Sequence, residues 1–425
     1  MKESNPNKGK KLIVYKKLLL ACLFCTLESF SIYGQSNSSN SFFGRPLNLN
    51  IHALNDYSNF NYIDSSIKNS RIIFLGESSH TTNEYSLVKY KLIKYLNEKH
   101  NFDVILFESG IADCFFSDKL KGTKDSLWIL RHSIFGIWWS STTLELMNYI
   151  KSQQITLGGF DYQASTYKNT NSDFLGLNLS LDTNLTIKLF KLDTLFNNFA
   201  KRNHLFLDSN NPNYNQYINL KIELENLYER LSDELDSKKT GIDNTDYLLY
   251  KRIIQNKLFY IKNLGNSKRM YELRDSVMSN NILWFCDTLY KNKKIILWGA
   301  NEHIAKSPSD IWNYYYAAAS LPERIKKESY FIGLYAYSGE MFYNKNSFEI
   351  KTPKQNSLEG RIKKLTEGDT DVFLDLQHNY RVKGFEWLNK KTRTYICGKQ
   401  IDYLVPINFY DGIILINKVS LNWNY

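Results

Sequence analysis

Two segments that lie far apart in the chain each place an acid and a histidine just after an apolar, strand-like run. Residues 71–80 read R-I-I-F-L-G-E-S-S-H and carry Glu77 and His80, while residues 294–303 read K-I-I-L-W-G-A-N-E-H and end at His303. A turn anchored by a buried strand can hold its side chains in fixed hydrogen-bond geometry. A carboxylate beside an imidazole in a partly desolvated cleft raises its basicity and fixes its tautomer. The spacing therefore predicts His80 as a general base, with Glu77 as its partner.

A third strand-like run, residues 104–107, brings Glu108 to a matching position. A buried acid there needs a cation, a histidine or a substrate hydroxyl as partner. Because α/β enzymes place functional side chains at the carboxyl edge of the sheet, we expect Glu77, His80, Glu108 and His303 to converge on one cleft. Structural alternatives stay open: Glu77 as a helix cap, Glu108 in an N-cap or a rim salt bridge, and His303 as a structural histidine.

Other reaction chemistries find less support. The chain has no Gly-x-Ser-x-Gly elbow of a serine hydrolase, and residues 300–307 lack the glycines of a phosphate-binding loop. The Glu and His cluster could hold a divalent metal, but it lacks the helical His-Glu-x-x-His arrangement. We therefore predict no metal and no cofactor, with a metal-dependent hydrolase kept as an alternative. The remaining histidines are interpreted as structural: His52, His100, His132, His204 and His378.

The elements around these residues alternate between strand and helix. Residues 71–75 and 104–107 are predicted strands, and Glu84–Lys99 between them is a predicted helix with apolar residues near helical spacing. This pattern is a βαβ unit, which implies a parallel strand pair with a right-handed crossover. Further helices are predicted over 126–135 and 142–152, and further strands over 155–160, 294–298, 330–335, 372–375 and 412–416.

Residues 178–290 show a different pattern, in which long Leu-, Tyr- and Phe-rich helical stretches are separated by polar turns. This segment is most simply a helical insertion between sheet strands. The predicted fold class is α/β: a mostly parallel central sheet flanked by helices, with the helical insertion forming part of the cleft. The first part of the α/β core is assigned to residues 48–177 and the second part to residues 291–425.

The amino-terminal segment resembles an export signal. Residues 16–34 have a basic start, an apolar run and small or polar residues up to Gly34, so residues 1–34 are predicted to be a signal peptide. Residues 35–47 are Ser/Asn-rich and are predicted to be a flexible lead-in. We expect a periplasmic or extracellular protein without a membrane span after signal removal; a lipoprotein anchor at Cys22 is the alternative.

Charge and cysteine content exclude several classes of protein. The formal net charge is +11, but the first 34 residues hold six lysines against two glutamates, and the remaining excess is spread along the sequence. Nucleic-acid binding therefore gains little support. Cys114, Cys286 and Cys397 remain after signal removal, an odd number without metal-type spacing, so neither a zinc site nor a disulfide scaffold is predicted. One disulfide bridge is possible, and the oligomeric state is left open.

Several short motifs between about residue 60 and residue 420 resemble those of the erythromycin esterase-like family and occur in the same order. They are Gly76–His80, Phe107–Gly110, the Trp138-Trp139 region, Gly159–Asp161, Arg274–Asn281 and Trp298–His303. The resemblance implies an α/β fold and metal-independent ester hydrolysis. In that scheme His80 activates water, Glu77 is its carboxylate partner, and His303 and Glu108 are further catalytic members of the cleft. The chain departs from the pattern at Thr81, where glycine is usual, and at Thr143, where an acid is expected.

The resemblance also implies a set of substrate contacts. Lys89 falls where the family often has a basic side chain that could stabilise an oxyanion; the other expected contacts are Trp139, Asp161 and Asn301. The predicted function is hydrolysis of a small-molecule ester or macrolactone by water, with a histidine general base. The alternative of another class is a non-catalytic envelope protein that binds a porphyrin or a glycan, through exposed aromatic residues such as Trp138, Trp139 and Tyr314–Tyr316.

Overall fold

A mostly parallel sheet organises the protein. The computed structural model describes residues 45–47, 57–163, 182–202, 210, 212–263, 270–308, 315–343, 346–366 and 369–421. The strands of the described residues are β1 (Arg45–Leu47), β2 (Ile72–Leu75), β3 (Val104–Gly110), β4 (Thr156–Asp161), β5 (Ile295–Trp298), β6 (Ser329–Tyr343), β7 (Asn346–Glu349), β8 (Asp371–Asp375), β9 (Thr392–Ile396), β10 (Gln400–Leu404) and β11 (Gly412–Val419).

The helices lie between these strands in the sequence. They are α1 (Asp64–Ile67), α2 (Asn83–His100), α3 (Ile111–Leu120), α4 (Ser126–Ser133), α5 (Ser141–Ser152), α6 (Thr183–Arg202), α7 (Tyr214–Ser237), α8 (Asn244–Asn263), α9 (Met270–Trp284), α10 (Asn301–Ile304), α11 (Glu323–Lys327), α12 (Leu358–Lys363), α13 (Leu376–Asn379) and α14 (Pro406–Phe409). The four long helices α6 to α9 follow one another between β4 and β5, and α9 reaches the sheet, where Asn281 donates to the carbonyl of Phe160 at 2.9 Å.

The strand order is β1-β8-β11-β6-β2-β5-β3-β4, with β7 paired to β6 and a separate hairpin formed by β9 and β10. The pairs from β11 to β4 are parallel, whereas β1, β7 and β8 pair antiparallel with their neighbours. The α/β class with a mostly parallel sheet and a helical insertion is thus confirmed.

Burial on both faces explains why the central strands are continuous apolar runs. In β2, Ile72 and Phe74 belong to the core cluster that includes helices α6 to α9, while Ile73 and Leu75 belong to the cluster on the other face, with α2. A strand covered on both faces by helices has no polar side, so the apolar and polar alternation of a half-exposed strand is missing.

The predicted βαβ unit needs a correction. Strands β2 and β3 are parallel, but they are not hydrogen-bonded neighbours, because β5 lies between them: Ile296 is the register partner of both Ile73 and Ile105. The pattern of residues 71–107 could not reveal this, since β5 comes from a segment about 190 residues further along the chain. The insertion of β5 is what brings the second acid and histidine segment between the other two.

Most predicted element boundaries agree with the structure within two residues. Strand β6 is longer than predicted, since it continues to Tyr343 and turns back into β7. Arg45–Leu47, assigned to the flexible lead-in, pair with Asp371–Phe373 as an edge strand. The signal segment and residues 35–44 lie outside the described residues, which include no helix long and apolar enough to cross a bilayer.

Candidate active site

The turn after β2 is held by backbone contacts to the neighbouring strand. The N–H groups of Gly76 and Ser78 donate to the carbonyls of Ile332 and Leu334 at 2.8 and 3.0 Å, which extends the parallel ladder past the end of β2. Glycine is required at the start of this turn because a Cβ at Gly76 would lie 2.1 Å from the side-chain oxygen of Asn301. The turn therefore presents the next residues to the carboxyl edge of the sheet in a fixed orientation.

Glu77 is the centre of the first half of the site. Its side chain is 2% exposed, its Oε1 contacts Nδ1 of His80 at 2.8 Å and accepts a hydrogen bond from the indole of Trp138, and its Oε2 accepts from Nζ of Lys89 at 2.8 Å. Burial opposes ionisation, but Lys89 and His80 outweigh it and hold the pKa of Glu77 below its usual value. Glu77 is therefore an ionised, fully hydrogen-bonded buried carboxylate.

Lys89 on α2 is a positioning residue rather than a surface cation. Its side chain is completely buried, and besides Glu77 its Nζ contacts the carbonyl of Gly299 at 3.1 Å and lies 4.5 Å from the ring centre of Trp298. Burial is the larger effect and lowers the pKa of Lys89 in spite of the Glu77 charge. We expected Lys89 to stabilise an oxyanion directly, but the N–H donors of Lys89 face the protein interior. Its effect on the site would therefore have to act through Glu77.

His80 is the open member of this cluster. Its side chain is 36% exposed and its ring packs edge-on against Trp138, with ring centres 5.5 Å apart. Burial of part of the ring lowers the pKa of His80, but the hydrogen bond and charge of Glu77, together with the charge of Glu108, raise it above the usual value of 6.5. Within the described residues Nε2 has no hydrogen-bond partner, so this nitrogen is available to a molecule in the cleft.

Glu108 forms the second half of the site from β3. The register between β3 and β4 shifts between Phe107 and Gly110, and this irregularity turns the strand end where Glu108 lies. Its Oε1 accepts from Nη2 of Arg274, and its Oε2 accepts from the N–H of Ala300, both at 2.8 Å. Burial favours protonation, but His303 and Arg274 outweigh it and lower the pKa of Glu108 to about 2.

His303 on α10 is enclosed by charged groups. Its Nδ1 contacts Asp275 at 2.7 Å, and its Nε2 lies 3.3 Å from Oε1 of Glu108 and 3.1 Å from Nη1 of Arg274. Burial and Arg274 lower the pKa of His303, but Glu108 and Asp275 outweigh them and raise it to about 9. At neutral pH His303 is therefore an imidazolium, with Asp275 accepting from its Nδ1–H and Glu108 facing its Nε2–H.

Arg274 on α9 ties the helical insertion to the edge of the sheet. Its Nε and Nη2 donate to one carboxylate oxygen of Asp161, at 2.8 and 2.6 Å, in addition to its bond to Glu108. Both carboxylates are almost completely buried. Burial alone would lower the pKa of Arg274, but the charges of Asp161 and Glu108 raise it.

The segment that follows β5 joins the two halves. The carbonyl of Gly299 accepts from Lys89, the N–H of Ala300 donates to Glu108, and the N–H of Asn301 donates to the carbonyl of Glu77 at 2.8 Å. The four residues predicted as catalytic, Glu77, His80, Glu108 and His303, therefore lie at one edge of the sheet around this segment.

Comparison with known proteins gives the family. The family model described as "Erythromycin esterase" matches residues 97–419. The chain belongs to the erythromycin esterase family. The Bacillus subtilis (strain 168) protein named "Putative hydrolase YbfO" is 27% identical over 97% of this chain and 98% of its own length, and the Escherichia coli protein named "Erythromycin esterase type II" is 23% identical over 89% and 96%. A solved structure described as an erythromycin esterase mutant in its open conformation is similar to this chain with a TM-score of 0.63 and 14% identity, covering 90% of this chain and 98% of its own.

Within this family fold, the residues predicted to contact substrate have different surroundings. Asp161 faces Arg274, as described above. Asn301 is 6% exposed, and its amide is bonded to both the carbonyl and the N–H of Leu334, at 3.0 and 3.4 Å. The ring N–H of Trp139 donates to the carbonyl of Ile134 at 3.1 Å. In the structure Asn301 thus orients the loop, since both ends of its amide are bonded to the backbone of Leu334.

Three residues of the cleft were not predicted as site residues of the hydrolase, although Trp138 was named for the ligand-binding alternative. Trp138, rather than Trp139, contacts Glu77 and His80, and Arg274 and Asp275 contact Glu108 and His303. Arg274 and Asp275 were visible only as part of a family-like motif, and nothing in their local pattern assigned them to the site. Thr143, where an acid was expected, forms a capping box with Ser140 at the start of α5.

The aromatic residues proposed for the ligand-binding alternative are less exposed than expected. Trp138 is 2% exposed and Tyr316 is 3% exposed, whereas Tyr315 is 62% exposed. Residue 314 lies outside the described residues. Two of these side chains are therefore part of the core and cannot form an open stacking platform. The three cysteines predicted to remain are free thiols in the structure.

Proposed function

We propose that the protein hydrolyses a carboxylic ester by direct attack of water, with His80 as the general base. The observation that carries this proposal is the asymmetry of the His80 ring: Nδ1 is bonded to the buried carboxylate of Glu77, while Nε2 is open to the cleft. Membership of the erythromycin esterase family supports the reaction class.

The chemistry follows from the tautomer that Glu77 selects. The proton stays on Nδ1, and this N–H group donates a hydrogen bond to Glu77. Nε2 then carries the lone pair that accepts a proton from water. The water oxygen bonds to the ester carbonyl carbon, and the tetrahedral intermediate then releases the alcohol as its C–O bond breaks. The imidazolium of His80 returns the proton to the departing alkoxide, so that no net proton is gained or lost by the protein at this stage.

The second half of the site places two cations, His303 and Arg274, among three carboxylates, so the stabilisation we propose comes from their local N–H donors and not from a net positive charge. His303 is protonated at neutral pH, and Arg274 carries a permanent charge beside it. Preorganised cations stabilise the oxyanion of a tetrahedral intermediate more strongly in a partly dry cleft than in water. We assign this task to His303 and Arg274, with Asp275, Glu108 and Asp161 holding them in place.

The direct test compares His80→Ala with the unmodified protein on simple aryl esters and on a macrolide lactone. Removing a positioned general base should lower kcat by about 10²–10⁴-fold. His100→Ala is the matched control, because His100 binds Asp64 and lies outside the site. Equal turnover by His80→Ala and the unmodified protein would contradict the mechanism, and activity that disappears with a chelator would favour the metal-dependent alternative.

The substrate class extends the same proposal. One relative is named as a type II erythromycin esterase, so we propose a macrolactone as the first substrate to test beyond aryl esters. Recovery of an intact, tightly bound ligand without turnover would favour the ligand-binding alternative.

We also propose that residues 1–34 are removed during export to the periplasm or beyond. Mass spectrometry of the mature amino terminus after expression with export tests this step. An intact amino terminus on the purified protein would contradict it, and a lipid-modified Cys22 would establish the lipoprotein alternative.

A further inference from the structure

A groove lined by cations crosses the surface beside the β9–β10 hairpin. Its two overlapping hollows have volumes of about 310 and 370 Å³ and share Asn356, Arg361 and Trp387. Its lining includes Lys354 from a loop, Arg361 of α12, Trp387 and Lys390. The groove is separate from the site around His80, since it shares no lining residue with it.

The groove collects positive charge without acids. Among the described residues, its lining includes six lysine and arginine side chains and no aspartate or glutamate. Lys354, Arg361, Lys390 and Arg393 make no ion pair with a carboxylate in that part of the chain. These cations come from three stretches of the sequence, residue 354, residues 361–364 and residues 390–393, which the fold brings to one surface.

Of the acids near the groove, Glu359 and Asp402 are buried, and the exposed Glu386 lies next to the groove without neutralising it. Glu386 accepts a hydrogen bond from the N–H of Gly384 at 3.0 Å. This hydrogen bond is the main cause of the lowered pKa of Glu386, and the charge of Lys390 lowers it further. One exposed carboxylate against six cations leaves a strong positive excess. A concave surface with such an excess attracts anions and raises their local concentration.

The aromatic residues of the groove are already covered by arginines. The guanidinium of Arg361 lies 5.6 Å from the ring centre of Trp387. Arg393 lies 5.7 Å from the ring centre of Tyr403, its cross-strand partner, and donates to the Tyr403 hydroxyl at 3.0 Å. Proteins that bind single-stranded nucleic acids need open aromatic faces for base stacking. Guanidinium groups on these faces instead present N–H donors, which suit carboxylate and phosphate oxygens.

We propose that this groove binds an anionic polysaccharide, a chain of sugar rings that carries carboxylate or phosphate groups. Cations spread over two adjoining hollows can contact successive anionic groups of a flexible chain, while the amide of Asn356 and the hydroxyl of Thr392 contact the sugars. This binding site does not depend on the ester hydrolysis proposed above, and the two can fail separately.

The test measures binding of the intact protein to a fluorescently labelled oligogalacturonate by anisotropy, with a neutral dextran oligomer and a single-stranded DNA oligonucleotide as comparisons. The groove variant is Lys354→Gln/Arg361→Gln/Lys390→Gln. The matched control is Lys68→Gln/Lys291→Gln/Lys327→Gln, which removes the same charge from exposed positions near the amino ends of the strands. Unfolding curves of both variants establish that each is folded.

The unmodified protein should bind oligogalacturonate and not dextran, with affinity falling as salt rises through the range in which exposed charges are screened. The groove variant should bind about ten-fold more weakly, a change of about 1.4 kcal/mol, and the control variant should bind as the unmodified protein does. Three results would each overturn the proposal: no binding of oligogalacturonate at low salt, equal weakening by the control variant, or tighter binding of the DNA.

Discussion

Replacement of Glu77 by glutamine separates the structural role of the buried ion pair from its role in catalysis. Glu77→Gln keeps the shape of the side chain but removes the negative charge beside Lys89, whose side chain is completely buried. After this change the ammonium group keeps only neutral partners: the carbonyl of Gly299, the ring of Trp298 and the amide oxygen of the new glutamine. A buried charge without a counter-charge is strongly destabilising.

Two estimates give the size of this effect. Removing one partner of a buried ion pair typically costs about 3–5 kcal/mol. Alternatively Lys89 can lose its proton, and for a lysine with a pKa of about 10.4 in the unfolded chain this costs at most about 4.6 kcal/mol at pH 7, at about 1.36 kcal/mol for each pH unit. Loss of the proton sets an upper limit on the destabilisation, because the folded protein adopts whichever state of Lys89 has the lower free energy. We therefore expect Glu77→Gln to lower the free energy of unfolding by about 3–4.6 kcal/mol at pH 7.

The pH dependence of this deficit identifies its cause. In the variant the pKa of Lys89 is lowered further, so that between the folded and unfolded pKa values the unfolded chain binds more protons and stability rises with pH. The deficit should therefore shrink between pH 7 and 9. Urea unfolding at several pH values measures it, with Glu77→Gln/Lys89→Met as the companion variant without either charge. That double variant should recover most of the stability without the pH dependence, and should stay inactive.

A stability deficit in Glu77→Gln that is independent of pH, or that is equal in the double variant, would refute the reasoning about the buried charge. Full hydrolytic activity in the double variant would refute the role of Glu77 as the partner of His80. The two readouts are independent, so one conclusion can fail while the other stands.

Three further predictions follow from the contacts of the site. Because the pKa of His80 is raised, the acid limb of the kcat/KM profile should lie above pH 6.5, and a limb below that value would contradict the assignment of the base. His303 has a pKa of about 9 in the folded protein and about 6.5 in the unfolded chain, so its contribution to stability is complete below pH 6.5 and is lost as pH rises through 9. Asp275→Asn should move this loss of stability to lower pH in unfolding experiments. An unchanged pH profile of stability would count against the contact between Asp275 and His303. Gly76→Ala would force a Cβ to within 2.1 Å of the Asn301 oxygen, and we expect thermal unfolding to show a loss of about 1–3 kcal/mol, with Gly122→Ala, which meets no neighbour, as the control.

The parts of the fold that the sequence predicts are those determined by local patterns. Runs such as Ile72–Leu75 and Ile295–Trp298 are buried on both faces and therefore consist of apolar side chains only. Such a run can be recognised in the sequence of each strand by itself. The order of the strands in the sheet depends instead on which strands pair by hydrogen bonds. The insertion of β5 between β2 and β3 is a contact between segments that are distant in sequence, and no local periodicity reports it.

The same distinction applies to the site. Glu77 and His80 are three residues apart in one turn, so their contact is visible in the sequence. Arg274 and Asp275 reach the cleft only because α9 folds back from the insertion onto the end of β4, where Asn281 binds the carbonyl of Phe160. The cations of residues 354–364 and those of residues 390–393 are likewise brought into one groove by the packing of α12 against the β9–β10 hairpin. These features depend on tertiary contacts.

Two similar sequence patterns produce histidines with different chemistry because their neighbours differ. His80 and His303 each follow a buried strand and a glycine, and each binds a carboxylate through Nδ1. The Nε2 of His80 is open, whereas that of His303 faces Glu108 and Arg274. A histidine whose pKa is about 9 holds its proton at neutral pH and cannot serve as a base. In the proposed mechanism His80 is therefore the proton acceptor and His303 a fixed cation beside Arg274, and exchanging the roles of the two histidines would require moving Glu108 from one imidazole to the other.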